Sequence, residues 1–217
     1  MVMDIEKKYE LIPSDKEGLF RIKALKCFGC VMIGEIGGYV ENEANLSQYG
    51  DCWIYCHAVV RDNARVEDNA KVWGKAVVRD NAIVCGNAQV YDSTVVCNNA
   101  NVYDNAEVCD NAVIQDNVII RGEARIIDNA IVCDNAVVCG EVDICGDALI
   151  SSNKDYIVFK NWWSSGRYFT WTRSNNMWKV GCFYGTGDEL IAKAYADSEE
   201  SGRQYEKIVK YVESIKN

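Results

Sequence analysis

The chain has 217 residues, 49% of them apolar, and carries a formal charge of −9 at pH 7. That allows one large or two small globular units with a sizeable core, and it argues against a nucleic-acid surface, where affinity rests on Lys and Arg neutralising phosphates. No apolar run approaches the roughly 18 residues of a membrane span, and the opening MVMDIEKKYE lacks the basic and apolar regions of a secretory signal. A cytoplasmic protein with no direct nucleic-acid or membrane contact is expected.

Residues 1–51 read as a small N-terminal β cap. Short strands are expected over 9–12, 19–25 and 31–40, broken by Pro13 and by the Gly37-Gly38 pair. Cys27 and Cys30 form a CxxC here, but no second CxxC or nearby His completes a four-ligand zinc site, so no metal is expected.

Residues 52–151 carry the strongest pattern. From Ala58 to Ala148 a small residue recurs every sixth position without a slip, with Thr94, Val118 and Val142 standing in for Ala. Two residues after each stands a Val or Ile, from Val60 through Ile114 to Ile150. Turn-formers lie between, as in Asp62-Asn63, Asp80-Asn81, Gly86-Asn87 and Asp134-Asn135. A period of six does not fit one face of an α-helix, whose repeat is about 3.6, and β-branched residues favour strands. Each hexad therefore gives a short strand with its small and aliphatic residues facing one side. The Asx or Gly positions that follow tolerate the left-handed backbone of a corner. Three corners close one coil, so the segment holds about five coils stacked at roughly 4.8 Å, a rod about 25 Å long.

The hexads Val60-Arg61-Asp62-Asn63-Ala64-Arg65 and Val78-Arg79-Asp80-Asn81-Ala82-Ile83 resemble those of the hexapeptide-repeat proteins. That resemblance implies a left-handed parallel β-helix, whereas periodicity alone allows either hand. The flanking stretches Gly34-Glu35-Ile36-Gly37-Gly38-Tyr39-Val40, Tyr49-Gly50-Asp51-Cys52-Trp53 and Gly181-Cys182-Phe183-Tyr184-Gly185-Thr186 look like those of uncharacterised phage and prophage members, which implies such an origin. Many relatives of this fold are acyltransferases, similar to one another in being trimers with a catalytic His reached by a loop that interrupts the coils. This chain has one histidine, His57, at a turn near the first coil, and nothing interrupts its hexads. No nucleophile elbow or phosphate-cradling glycine loop is present either.

Residues 152–217 read as a C-terminal cap of a β-hairpin and two helices. Strands are expected over 157–159, 168–172 and 177–180, where Trp162, Trp163, Trp171 and Trp178 are placed to seal the last coil. Thr186 with Glu189 makes a capping-box signature for a helix over 188–195, and a second helix follows with Tyr205, Ile208, Val209, Val212 and Ile215 on one face.

Outward positions one coil apart form columns, and one of these is unusual. Val59, Val77, Val95, Val113, Ile131 and Leu149 are all aliphatic yet flank inward residues and point away from the core. A soluble protein seldom leaves such a stripe bare, and two coverings fit: the C-terminal helix, or a second subunit in a homo-oligomer. The column Lys71, Gln89, Glu107, Arg125 and Asp143 is polar and is expected to be solvated. Tyr55, Trp73 and Tyr91 form an aromatic ladder, either cross-strand packing or a ligand or partner face. Asp62, Asp80, Asp116 and Asp134 align as an acidic ridge, open to polyanion mimicry or cation binding, although corner geometry alone already explains these residues. Of the eleven cysteines, Cys56, Cys85, Cys97, Cys109, Cys133, Cys139 and Cys145 fall at non-core positions, in slots that elsewhere hold other residues, and all eleven read as free thiols.

The expectation is thus a mainly β protein: a left-handed parallel β-helix with a β N-terminal and an α+β C-terminal cap. Its expected role is a non-catalytic binding or assembly scaffold without cofactor, homo-oligomeric and directed at a host macromolecule or small signalling molecule. The alternative is an acyltransferase-like enzyme with an intersubunit site near His57.

Overall fold

The computed structural model describes residues 7–216. The reading of a missing signal sequence falls in part on residues 1–6, outside that range. Between the caps the chain winds as a three-sided solenoid with one parallel sheet per side. On the first side Val59–Val60 pairs with Val77–Val78, and so on through Val95–Val96, Val113–Ile114 and Ile131–Val132 to Leu149–Ile150, each strand 18 residues beyond its neighbour. Strands one hexad and two hexads further on form the other two sides. The lumen is the core: the inward Val, Ile and Ala of the hexads are fully buried, apart from Val142 at 2% exposure. Thr94 is accepted there because its hydroxyl donates to the Tyr91 carbonyl at 2.6 Å.

Side-chain chemistry sets the corners. Asp62, Asp80, Asn98, Asp116 and Asp134 adopt φ between 57° and 64°, a region that Asp and Asn tolerate better than most residues. The first four of these also accept the backbone N–H of the corner residue one rung on, at 3.0–3.2 Å, a donor that would otherwise face the turn unpaired. The asparagines that follow form a ladder, Asn63 to Asn81 to Asn99 to Asn117 to Asn135, each amide donating to the next at 3.0–3.3 Å.

The solenoid has about six turns, one more than the hexads suggest. The additional turn comes from the N-terminal segment. Ile36–Val40 runs antiparallel to Phe20–Ala24 and parallel to Val59–Val60, with Tyr39 opposite Val59 and Leu46 opposite Val66, offsets of 20 residues, whereas Trp53 meets Lys71 at 18. Two extra residues between Leu46 and Trp53 hide this turn from a search for sixes. Asn45, fully buried, closes it: its amide donates to the Ala64 and Asp62 carbonyls at 2.8 and 3.0 Å and accepts from the Glu41 and Asn42 amides. Gly37 and Gly38 do not break the strand as expected. They lie within it, where a Cβ would sit 2.5 Å from the Ile54 carbonyl oxygen or Cγ2.

Tyr9–Pro13 completes the N-terminal sheet, and Lys8, Tyr9, Phe28 and Trp53 plug that end of the lumen. The Lys8 ammonium is buried against the carbonyls of Tyr49, Gly50 and Cys52, and desolvation lowers its pKa.

At the other end, Tyr156–Lys160, Tyr168–Thr172, Met177–Val180 and Phe183–Gly185 form a four-stranded antiparallel sheet, two strands more than a hairpin. Alternation gives it two faces. Tyr156 and Val158 pack on the solenoid core, and the Tyr156 hydroxyl donates to the Val137 carbonyl at 3.0 Å. Ile157, Phe159, Phe169, Trp171 and Trp178 face the helices instead, and Trp162 is 71% exposed, so the tryptophans do not seal the last coil. Helix α1 (Gly187–Asp197) begins with the expected capping box of Thr186 and Glu189; Ser198 ends it and caps α2 (Glu199–Ile215). Among the described residues no helix is long and apolar enough to cross a membrane.

Candidate functional site

The aliphatic stripe stands where its spacing places it. Val59, Val77, Val95 and Val113 are half-buried, while Ile131 and Leu149 are 39% and 47% exposed. The next residue towards the N-terminal end is Tyr39, which is buried, with the cations of Lys16 and Arg21 3.9 and 4.6 Å from its ring centre. The C-terminal helix does not lie over the stripe. Tyr205, Val209 and Val212 of α2 pack with Phe169, Trp171 and Trp178 in a separate cluster.

The aromatic ladder is partly formed. Trp73 and Tyr91 stack with ring centres 4.3 Å apart and planes 3° from parallel. Tyr55 packs against the solenoid core and shares a shallow apolar patch with Cys56, Lys71 and Trp73. The Tyr91 hydroxyl donates to Glu107, and burial together with that carboxylate pushes the phenol above its ordinary range. His57 is exposed beside the left-handed corner at Cys56.

The acidic ridge is occupied with corner hydrogen bonds. Asp116, Asp134 and Cys133 bring three ligand-type atoms within 4.8 Å of one another, but the Asp116 carboxylate already accepts from the Asp134 backbone. Desolvation and Asp134 hold the Cys133 thiol up in its protonated form. The outward cysteines differ in accessibility: Cys97, Cys109 and Cys145 are buried, whereas Cys56 and Cys139 are exposed.

Sequence reading missed a cleft of about 660 Å³ between the last rungs and the C-terminal sheet. Glu123, Arg125, Glu141 and Asp143 line one wall, and Arg167, Tyr168 and Thr170 the other. Part of the column expected to be solvated thus faces protein: the Asp143 amide donates to the Thr170 hydroxyl at 3.3 Å. Arg125 bridges Glu107 at 3.0 Å and Asp143 at 3.8 Å, which organises the solenoid wall as a charged strip. No hexad pattern announces such a cleft, because its walls meet only when the C-terminal sheet docks.

No protein-family model matches the chain. It is similar to the uncharacterized acetyltransferase YdcK of Escherichia coli (strain K12), 34% identical over 64 residues, which is 26% of this chain and 20% of that protein. The hexads, the solenoid and this similarity support a place among the hexapeptide-repeat β-helix proteins. The matched stretch spans only about a fifth of that relative's length. Charged side chains line the C-terminal cleft, while the apolar stripe runs along a different side of the solenoid.

Proposed function

We propose that this hexapeptide-repeat protein is a non-catalytic scaffold that self-associates through its aliphatic stripe. We place it in the cytoplasm, assign it a phage or prophage origin, and give it a host macromolecule or small signalling molecule as partner. The observation that carries the assembly is the stripe itself, six aliphatic side chains in register with Ile131 and Leu149 substantially exposed. Burying apolar area yields about 25 cal/mol per Å², so a continuous row favours a second copy more than scattered residues would. Light scattering tests it. The wild type should give an oligomer mass, and Val95→Asp with Val113→Asp should give a folded monomer; an unchanged mass in the folded double variant counts against the proposal.

The acetyltransferase name of the similar protein favours a second reading, an acyltransferase-like enzyme with an intersubunit site near His57. His57 is exposed, as a general base at a subunit boundary would be in an isolated chain. Release of coenzyme A from acetyl-CoA by the wild type, lost in His57→Ala, would favour this reading over the scaffold.

A further inference from the structure

A second, smaller pocket of about 230 Å³ opens beside the cleft, between the 160–168 loop, the Gly181-Cys182 turn and Tyr205 of α2. It shares Arg167, Tyr168, Phe169 and Gly181 with the cleft, and together the two spaces lie in the range of small-molecule sites. Asn161 lines it and is 7% exposed. Its backbone is paired across the loop, and its Nδ2 donates to the Tyr205 hydroxyl at 3.0 Å. Its Oδ1, though buried, has no partner. Turning the amide over only exchanges an unpaired oxygen for an unpaired NH₂. A buried polar atom left in this way is costly, and a ligand that supplies the missing bond recovers that cost.

The surroundings narrow the ligand. The Tyr205 hydroxyl accepts from Asn161 and keeps its own proton to donate; burial holds the phenol above its ordinary range, so it stays a donor. Unpaired acceptor and available donor therefore sit side by side, complementary to an N–H next to an acceptor, a pattern every nucleobase edge presents. Tyr168, 40% exposed, offers a ring for stacking at the mouth. Two cations lie at this opening: Lys160 over the ring, 5.2 Å from its centre, and Arg167 among the residues that line the pocket. Neither forms an ion pair among the described residues. In a chain of charge −9, two cations outside any ion pair at one opening mark a place for an anion. The carboxylates of Glu123, Glu141 and Asp143 in the adjoining cleft confine that anion to the mouth.

We propose that this pocket binds a nucleotide, with the base edge paired to Asn161 and Tyr205 and the phosphate held by Arg167 and Lys160. This deepens the small-molecule branch of the binding reading and rests on it, independently of assembly through the stripe. Isothermal titration of the full chain with AMP, CMP, GMP and UMP tests it, with the matching nucleosides and inorganic phosphate as separate arms. At least one nucleotide should bind and be recovered intact, while its nucleoside and inorganic phosphate each bind about tenfold more weakly or worse. Arg167→Ala, on an exposed loop, and Tyr205→Phe, which removes only a hydroxyl, should each weaken the nucleotide about tenfold. Absence of binding by all four nucleotides overturns the site, as does inorganic phosphate binding equally well or affinity that survives both substitutions. A nucleotide that binds but is converted supports the site and overturns the non-catalytic reading, so the two failures are distinguishable.

Discussion

Cys56 holds a corner at φ 49°, in the column where Gly74, Asp92, Asp110, Asp128 and Gly146 take the same left-handed conformation. Asp and Gly adopt that region readily, whereas an ordinary side chain loses about 1–2 kcal/mol there. Cys56→Gly is therefore expected to raise stability by about 1 kcal/mol in denaturant unfolding. A variant no more stable than the parent would show that the corner is not strained. At this scale the sequence was legible where one residue does one job: the Asx positions marked the corners correctly. It was not legible where a side chain serves a neighbour 18 residues away, as when Asp62 accepts the Asp80 amide.

At the scale of elements, the hexads predicted the coil strands because a period of six leaves no competing structure. The first turn escaped because its closure depends on Asn45 and on a corner two residues longer than the rest, which no periodic search weights. The tryptophans were assigned to the wrong face for a related reason. Strand alternation was readable, but which face met the helices depended on how the sheet docked, and Tyr156 with Val158 took the solenoid side. The asparagine ladder gives this scale its prediction. Asn99 both accepts from Asn81 and donates to Asn117 at 3.0 Å. Asn99→Ala should cost about 1–2 kcal/mol, the net worth of two hydrogen bonds. If unfolding is unchanged, the ladder is only a by-product of corner geometry.

Across the whole molecule, buried and half-buried thiols make stability sensitive to alkali. Burial pushes the thiols of Cys52, Cys85, Cys97, Cys133, Cys109 and Cys145 above their ordinary value of 9.0, the last two to about 11 and about 12. Below pH 9 they are neutral in both folded and unfolded chains, and their contribution is fully present. As pH rises from 9 through 11 and 12, the unfolded chain loses these protons first, so stability falls. Lys8 acts in the opposite sense, because its lowered pKa leaves the unfolded chain holding the extra proton, but it is one group against six. Thermal unfolding followed from pH 8 to about 11 should show a declining midpoint, whereas a flat or rising one would mean that these thiols are hydrated. The cleft belongs to this scale too. Residues 123–143 and 167–181 have no shared pattern in the sequence and meet only through docking of the C-terminal sheet.

The solenoid is built of rungs that repeat each 18 residues, so removal of one whole rung tests it most directly. Excision of residues 97–114 brings Val95 under Ile131 with all three sides in phase, and circular dichroism should still show cooperative thermal unfolding of a β-rich protein. A control excision of half a rung, residues 97–105, drives inward and outward positions out of phase and should abolish that transition. Equal tolerance of both excisions, or loss of folding on removing the whole rung, would contradict the stacked solenoid.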